Sequence, residues 1–424
     1  MDNYSIIGFG SAGYHAVRAL RRAGFEGNIR VFSDTPNPPA NPILTTYYAS
    51  GKIAFDRQFV FGDKEKICRE FNLDWHANIP VSQLDAEAKL ITLADGSSFA
   101  YDKALVATGC APIRLPVGEG CEDSVFYMRR VEDGVRLRER LEKGQLKNAL
   151  VVGASMVGTK VVEVLTGGGC HCLLNDGMSG AFPMAALPET ARIIQEKLTA
   201  LGVEQKYGTG VAKIESRDGG ILSTFQDGEE YWSDIIVICV GLRANLSFIN
   251  REQISCGRGI LVDEYMQSSV PDTYAAGDCA EIYNLQTGQR QMIGLWANAA
   301  DQGTAAGTNM AGGRAPYAGS IASSITHFMG MDFVSFGMNN AGGEREMCRL
   351  ADGETTVEYT FQDDKLQCVN ILSDIRQSGV ARARFIKSLT SGSDILDPRT
   401  LGLLTRSGFS EALINCIARG GKND

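Results

Sequence analysis

The chain has 424 residues, 44% apolar and 21% charged, with a formal net charge of −9. That length implies two or three domains. The acidic balance argues against nucleic acid, which is held by neutralising phosphates with Lys and Arg, and against an anionic membrane surface. No apolar run approaches the roughly 20 residues that a membrane helix needs. A glycine motif begins almost at once, with no basic region before an apolar stretch, so no signal peptide and a cytoplasmic location are expected. The 11 cysteines are scattered and odd in number. They read as small buried hydrophobes rather than as a disulfide framework.

"YSIIGFG" at 4–10 predicts a buried strand, and "AGYHAVRALRRAG" predicts a helix through Val17 and Leu20 that stops near Gly24. "NIRVFSD" predicts a second strand, which completes a βαβ unit of about 30 residues. In such a unit Gly8 permits the tight turn. Gly10 lets a pyrophosphate approach the backbone, and Gly13 lets helix and strand pack closely. The helix N-terminus offers free N–H groups and partial positive charge to phosphates. Asp34, about 20 residues on, fits the acid that holds a ribose hydroxyl. "LITLADGSSFAYDKALVATG" predicts a polar hairpin turning at Asp95-Gly96.

"KNALVVGASMVG" repeats the design with Gly153, Ser155 and Gly158, Ser replacing the middle Gly and narrowing the approach. "HCLLND" predicts the following strand, ending in Asn175 and Asp176, either of which could take the ribose position. An acid there repels a 2′-phosphate, and no Arg cluster follows, so NADH is preferred over NADPH. "PETARIIQEKLTALG" predicts an amphipathic helix with Pro188 at its start and Gly202 after its end. "SDIIVICVG" predicts another buried strand, and "VEYTFQDDKLQCVNIL" antiparallel strands, with helical pieces continuing toward Ile417.

A third stretch widens the reading. "GILVDEYMQSSVPDTYAAGDCAE" at 259–281 closely resembles the second FAD segment of the pyridine nucleotide-disulfide oxidoreductase family. "YDKALVATGCAP", "FYMRR", "ICVGLRAN" and "LWANAADQGTAAGTNMAGG" resemble further family segments. The resemblance covers roughly residues 4–340, and the last 80 or so fit the family's small C-terminal domain only loosely. It implies an α/β fold: two Rossmann-like dinucleotide-binding domains, for FAD and NAD, plus a small C-terminal α+β domain. The expected boundaries are 1–115 and 243–320 for the two parts of the FAD domain, 116–242 for the NAD(H) domain and 321–424 for a C-terminal interface domain.

The resemblance further implies that Gly8, Gly10, Ser11, Ala12, Gly13, Asp34, Val81, Thr108, Gly109, Arg129, Gly277, Asp278, Trp296 and Ala297 bind FAD. Asp278 would bond the ribityl chain. The backbone of Trp296 and Ala297 would stabilise negative charge on reduced flavin. Gly153, Ser155, Met156, Val157, Gly158, Asp176 and Gly241 would hold NAD(H). In the family fold the nicotinamide stacks on the flavin, so that hydride passes to N5. Glu163 matches the family's Glu near the nicotinamide and is the candidate catalytic residue; the plainer reading is a helix residue at a domain interface.

Neither "GFGSAGYHAVRALRRAG" nor "PPANPILTTYYASGK" contains Cys. A dithiol relay beside the flavin is therefore not expected, nor is single-cysteine peroxidase or CoA-disulfide chemistry. "NPILTTYYASGKI" resembles the rubredoxin-, ferredoxin- and nitrite-reductase-type branch, whose members usually carry Lys where Thr46 stands. Lys52 is a nearby substitute but reads as a solvated loop residue, and His327 as a packed interface histidine. Cys170 and Cys172 read as packing residues, and no metal or iron–sulfur cluster is expected.

The expected activity is FAD-dependent transfer between NAD(H) and an external one-electron carrier, such as a rubredoxin, a ferredoxin or an iron–sulfur subunit. Some anaerobic 2-oxoacid oxidoreductases, such as phenylglyoxylate dehydrogenase, use a flavoprotein subunit of this type. The rival readings are a peroxide-forming NADH oxidase and an NADH-responsive interaction protein like apoptosis-inducing factor. A homo-oligomer is left open.

Overall fold

Five short runs of buried aliphatic residues build the first sheet. In the computed structural model, which describes residues 2–350, 352–363, 365–373, 375–376, 378–391 and 398–418, they lie in the order Thr273–Ala275, Lys103–Val106, Asn3–Ile7, Asn28–Phe32, Leu73–His76. All four pairings are parallel. Such strands are covered on both faces, which is why they read as continuous apolar runs rather than as alternation. The stretch expected as one polar hairpin divides. Leu90–Leu93 pairs antiparallel with Ser98–Ala100 around the Asp95-Gly96 turn, while Lys103–Val106 joins the parallel sheet.

The second sheet repeats the plan. Its order is Glu204–Tyr207, His171–Asp176, Asn148–Val152, Ile235–Ile238, Val125–Phe126, again all parallel. In both sheets the strand before the glycine turn is central and its neighbours lie on opposite sides. That reversal of strand order opens a crevice at the carboxyl ends, where ligands bind in folds of this kind. A third sheet is antiparallel, in the order Ser323–Phe328, Met331–Gly337, Lys365–Leu372, Thr356–Gln362, Glu344–Arg349. Helices Ser378–Ser391, Pro398–Arg406 and Glu411–Ala418 follow it.

The chain forms two compact units. The first comprises residues 1–48, 52–111 and 242–320; the second comprises 49–51, 112–241 and 321–424. The segment expected as a separate C-terminal domain thus packs with the second nucleotide-type sheet. Its Phe328, Phe333 and Leu372 share one hydrophobic core with Phe126, Val151, Leu174 and Phe182. Residues 419–424, the end of that expected domain, lie outside the described residues.

Within the first unit, helix Ser11–Arg22 crosses helix Trp296–Met310 backbone to backbone. A Cβ on Gly303 would come 2.1 Å from the Ala12 carbonyl oxygen, and one on Gly307 2.3 Å from that of Ala16. Within the second unit the third sheet caps helix Pro188–Ala200. The helix starts with Pro at N1 and has no side-chain cap of its own. Its N–H groups at Glu189 and Thr190 donate instead to the two carboxylate oxygens of Glu358, at 3.2 and 2.6 Å. Glu358 is only 1% exposed, and the partial positive charge of the helix start compensates its burial. Among the described residues no helix is long and apolar enough to cross a membrane.

Replacing Glu358 by Ala leaves the buried N–H of Thr190 and the partly buried N–H of Glu189 without an acceptor, and charge-assisted bonds of this kind are worth about 1.5–3 kcal/mol each. Glu358→Ala is expected to lower the melting temperature clearly, with Glu358→Gln recovering part of the loss. An unchanged melting temperature for the Ala variant would show that this cap contributes nothing.

Candidate functional site

The turn after Asn3–Ile7 has the geometry its three glycines predict. Gly8 sits at φ 95°, and a Cβ there would lie 2.4 Å from the Ala107 carbonyl oxygen. A Cβ on Gly13 would lie 2.4 Å from the Gly8 carbonyl oxygen, so helix and strand touch. Beside Gly10 there is nothing within 4 Å of where a Cβ would be. Gly10 is also the N-cap of helix Ser11–Arg22 and supplies no side-chain cap. No side chain of the cap residue takes the first-turn N–H groups, and the space beside Gly10 is open, which fits a diphosphate.

Other expected residues gather at this turn. Ser11 Oγ donates to the Trp296 carbonyl oxygen at 3.4 Å, joining the starts of the two crossing helices. Helix Trp296–Met310 begins without a side-chain cap, so the first-turn N–H groups of Trp296 and Ala297 are not used by one. Gly277, at φ 81°, would place a Cβ 3.1 Å from that of Ala12, and its N–H donates to Gln302 Oε1 at 2.8 Å. Thr108 Oγ1 donates to the Asn245 carbonyl oxygen at 2.8 Å, and Asn245 N–H donates to that of Gly109 at 3.1 Å. Asp34 lies two residues beyond the strand end at Phe32 and is exposed. Val81 opens strand Val81–Asp85 and packs half-buried on the hydrophobic core.

Two contacts here escaped the sequence reading. Cys110 Sγ donates to Asp278 Oδ2 at 3.2 Å, and Gln302 holds Gly277. Cys110 carries no sequence signal, since it stands 168 residues from its partner. Gln302 shares the Trp296–Met310 helix with Gly303 and Gly307, and a polar residue next to that small-residue pair was the available clue.

In the second unit Gly153, at φ 106°, approaches the Cys239 carbonyl oxygen as Gly8 approaches that of Ala107. Ser155, in place of a middle glycine, is a working N-cap. Its Oγ accepts from the Gly158 N–H at 3.2 Å and donates to the Cys239 carbonyl oxygen at 3.2 Å. The hydroxyl is thereby turned back toward the strand ends. Met156 and Val157 form the first helical turn, with Val157 exposed. Gly241, at φ 112°, accepts from the Ile113 N–H at 3.0 Å.

The two candidates at the end of His171–Asp176 separate cleanly. Asn175 is fully buried, and its Nδ2 donates to the carbonyl oxygens of Lys206 and Thr209 at 2.9 and 2.8 Å. Asp176 is half-buried and accepts from Ala154 N–H and Met178 N–H at 2.8 Å each, one at each oxygen. Each carboxylate oxygen keeps a further lone-pair site, which suits a ribose diol. Burial and the Asp176 charge together push the Tyr207 phenol above its ordinary range.

Glu163 is ion-paired. Its Oε2 lies 2.7 Å from Lys160 Nζ, which is buried and also donates to the His327 carbonyl oxygen at 2.8 Å. Arg129 belongs to the second unit, where its backbone N–H donates to Asp133 Oδ2 at 2.9 Å. Burial pushes the Asp133 carboxyl up. His327 is not packed, as expected, but half-exposed and bonded through Nδ1 to Asp332 at 2.7 Å. Thr46 is buried, with its hydroxyl donating to the Ile43 carbonyl oxygen at 3.2 Å, and Lys52 is exposed.

Burial pushes the thiols of Cys170, Cys172 and Cys239 up to about 11, 12 and 12. None of these is a nucleophile near neutral pH. Among the described residues no three His, Cys, Asp or Glu side chains are disposed to hold a metal ion.

Comparison with known proteins gives the family and the fold. The family described as "Pyridine nucleotide-disulphide oxidoreductase" matches residues 2–303. The NADH-dependent phenylglyoxylate dehydrogenase subunit epsilon of Aromatoleum evansii is 29% identical over 80% of this chain and 81% of its own. Rubredoxin-NAD(+) reductase of Ectopseudomonas oleovorans is 29% identical over 66% of this chain and 72% of its own. The structure of a water-forming NADH oxidase from Lactobacillus brevis bound to NADH superposes with a TM-score of 0.86, at 20% identity, over 94% of this chain and 93% of its own.

Two variants test the placements. Asp278→Ala is expected to purify without bound flavin, hence colourless, and a yellow protein with full flavin content would remove Asp278 from the site. Asp176→Ala is expected to reduce the preference for NADH over NADPH in kcat/KM by about tenfold, a difference of roughly 1.4 kcal/mol. Asn175→Ala is expected to leave the preference unchanged and lower the melting temperature; the reverse pattern would exchange the two roles.

Proposed function

Because the chain belongs to the pyridine nucleotide-disulphide oxidoreductase family and is an FAD-dependent NAD(P)H oxidoreductase, we propose that it passes electrons between NADH and an external one-electron carrier. The observation that carries this reading is the absence of cysteine from residues 8–24 and 38–52. The two buried cysteines at Asp278, Cys110 and Cys279, are not joined in a disulfide. Without a dithiol to receive an electron pair, the pair leaves the protein through a docked acceptor. Rubredoxin-NAD(+) reductase and the phenylglyoxylate dehydrogenase subunit, both similar to this chain, bear names that fit such a partner. Either a small iron–sulfur protein or the iron–sulfur subunit of a larger complex has the required chemistry.

Bound FAD supplies the conversion of a hydride's electron pair into single electrons. The residues of the chain do the rest. In the first unit, N–H groups after Gly10, at Ser11, Ala12 and Gly13, hold a diphosphate, and Asp34 holds a ribose. Thr108, Gly109 and Gly277 shape the backbone around it, and Asp278, steadied by Cys110, holds the ribityl hydroxyls. The helix start at Trp296 and Ala297 presents partial positive charge to the pyrimidine end. Val81 and Arg129 remain candidates for the same cofactor. In the second unit, Gly153, Ser155, Met156, Val157 and Gly158 receive the NAD(H) diphosphate, Asp176 its ribose, and Gly241 shapes the adjoining crossing. Glu163, ion-paired with Lys160, is the candidate catalytic residue toward the nicotinamide.

The test is an acceptor survey on protein purified without oxygen. NADH-driven reduction of an iron–sulfur carrier is expected to exceed oxygen consumption by at least about tenfold, roughly 1.4 kcal/mol in barrier. Faster oxygen consumption than carrier reduction would make the protein an oxidase instead. Uniformly slow turnover with every acceptor would make it an NADH-responsive binding protein.

A further inference from the structure

The turn at Gly153–Gly158 is held from a place the dinucleotide fold does not itself provide. Ala154 is held through both of its backbone groups, one in each of the two peptide units that flank its Cα. Its N–H donates to Asp176 Oδ2, and its carbonyl oxygen accepts from the Phe182 N–H, each at 2.8 Å. Phe182 stands at φ 52°, in the left-handed region, where a bulky side chain is a genuine outlier. Backbone strain of that kind persists only where the surroundings enforce it, and it gathers at functional sites.

Here the surroundings are the third sheet. The Phe182 ring is buried against Phe328 and Phe333, at centroid distances of 5.2 and 5.1 Å and interplanar angles of 71° and 44°. The residues that follow are bolted to the same sheet. Asn339 Nδ2 donates to the carbonyl oxygens of Pro183 and Ala186, and Asn370 Nδ2 to that of Ala185. A second tie runs from the helix after the turn: Lys160 Nζ donates to the His327 carbonyl oxygen, on strand Ser323–Phe328.

We propose that the hairpin Ser323–Gly337 is a working part of the NAD(H) site, and that Phe182 is the positioning residue through which it fixes the Ala154 peptide and sets nucleotide affinity. This rests on the reading that the Gly153–Gly158 turn holds NAD(H). Through its carbonyl, Ala154 sets the peptide that leads into the N–H groups of the helix start, and through its N–H it holds the Asp176 carboxylate. A nucleotide bound there gains from having both fixed beforehand, because it need not order them itself. The coupling is reciprocal: what the hairpin does to NAD(H) affinity, NAD(H) does to the hairpin.

The experiment measures NADH affinity on the FAD-loaded protein, by titration, together with the rate of flavin reduction at saturating NADH. Phe182→Gly removes the ring while leaving the left-handed backbone accessible. It is expected to raise the NADH Kd by about fivefold to tenfold, within the usual range of such couplings, with flavin content and saturating reduction rate unchanged. Phe333→Leu loosens the strut from the hairpin side, away from the turn, and is expected to raise the Kd in the same direction. In the wild type, NADH is expected to slow hydrogen exchange of the 328–337 amides. A lowered melting temperature with unchanged Kd in both variants would overturn the inference, as would unprotected hairpin amides. Should Phe182→Gly not fold, the Phe333→Leu Kd decides. A wild type that does not bind NADH, or one whose binding Asp176→Ala leaves untouched, would instead overturn the underlying reading of the turn.

Discussion

The constraint on which both glycine turns depend is a backbone approach that leaves no room for a side chain. At Gly8 and at Gly153 a Cβ would stand 2.4 Å from a carbonyl oxygen of the adjoining strand connection, Ala107 in one case and Cys239 in the other. Because the turn can close that far, the helix that follows starts directly over the carboxyl ends of the sheet, with its free N–H groups aimed at the crevice. Gly13 and Gly158 then bring helix and strand into contact, and a Cβ on either would collide with the carbonyl oxygen of the first glycine of its own turn. Everything later assigned to a phosphate or a ribose is placed relative to these two contacts.

Local features of this kind could be read from the sequence, because spacing encodes them. The three glycines of the first turn, the repeat at Gly153, the proline-led helix at 188 and the continuous apolar strands all carry their meaning within a few residues. What spacing cannot encode is a choice made by distant atoms. Asn175 and Asp176 were indistinguishable in sequence, and the carbonyl oxygens of Lys206 and Thr209 separate them by occupying the amide of the first. The Cys110–Asp278 contact spans 168 residues and has no pattern at all. His327 looked like a packed residue and is not, because strand alternation places it on the outer face, beside Asp332.

The membership of the last hundred residues was hidden for the same reason. Their alternation announced an antiparallel sheet, but its partner was decided by Phe182 and Glu358, which meet residues about 150 and about 170 positions away. A buried carboxylate capping a helix and an aromatic strut under a strained turn are both tertiary events. Together they make the third sheet a wall of the second unit rather than an appendage to it.

The first unit is assembled from both ends of an interruption. Its sheet needs Asn3–Ile7 and Lys103–Val106 from before the second unit's nucleotide sheet, and Thr273–Ala275 from after it. Helix Trp296–Met310, which crosses Ser11–Arg22 at Gly303 and Gly307, arrives later still. On the ribosome, where chains emerge at about 5–20 residues per second, the parallel sheet of the second unit has all its strands by residue 238, well before the first has its edge strand. The unit whose glycine turn is synthesised first is therefore completed after that sheet, and the helix crossing beside that turn forms only once more than 300 residues have left the exit tunnel.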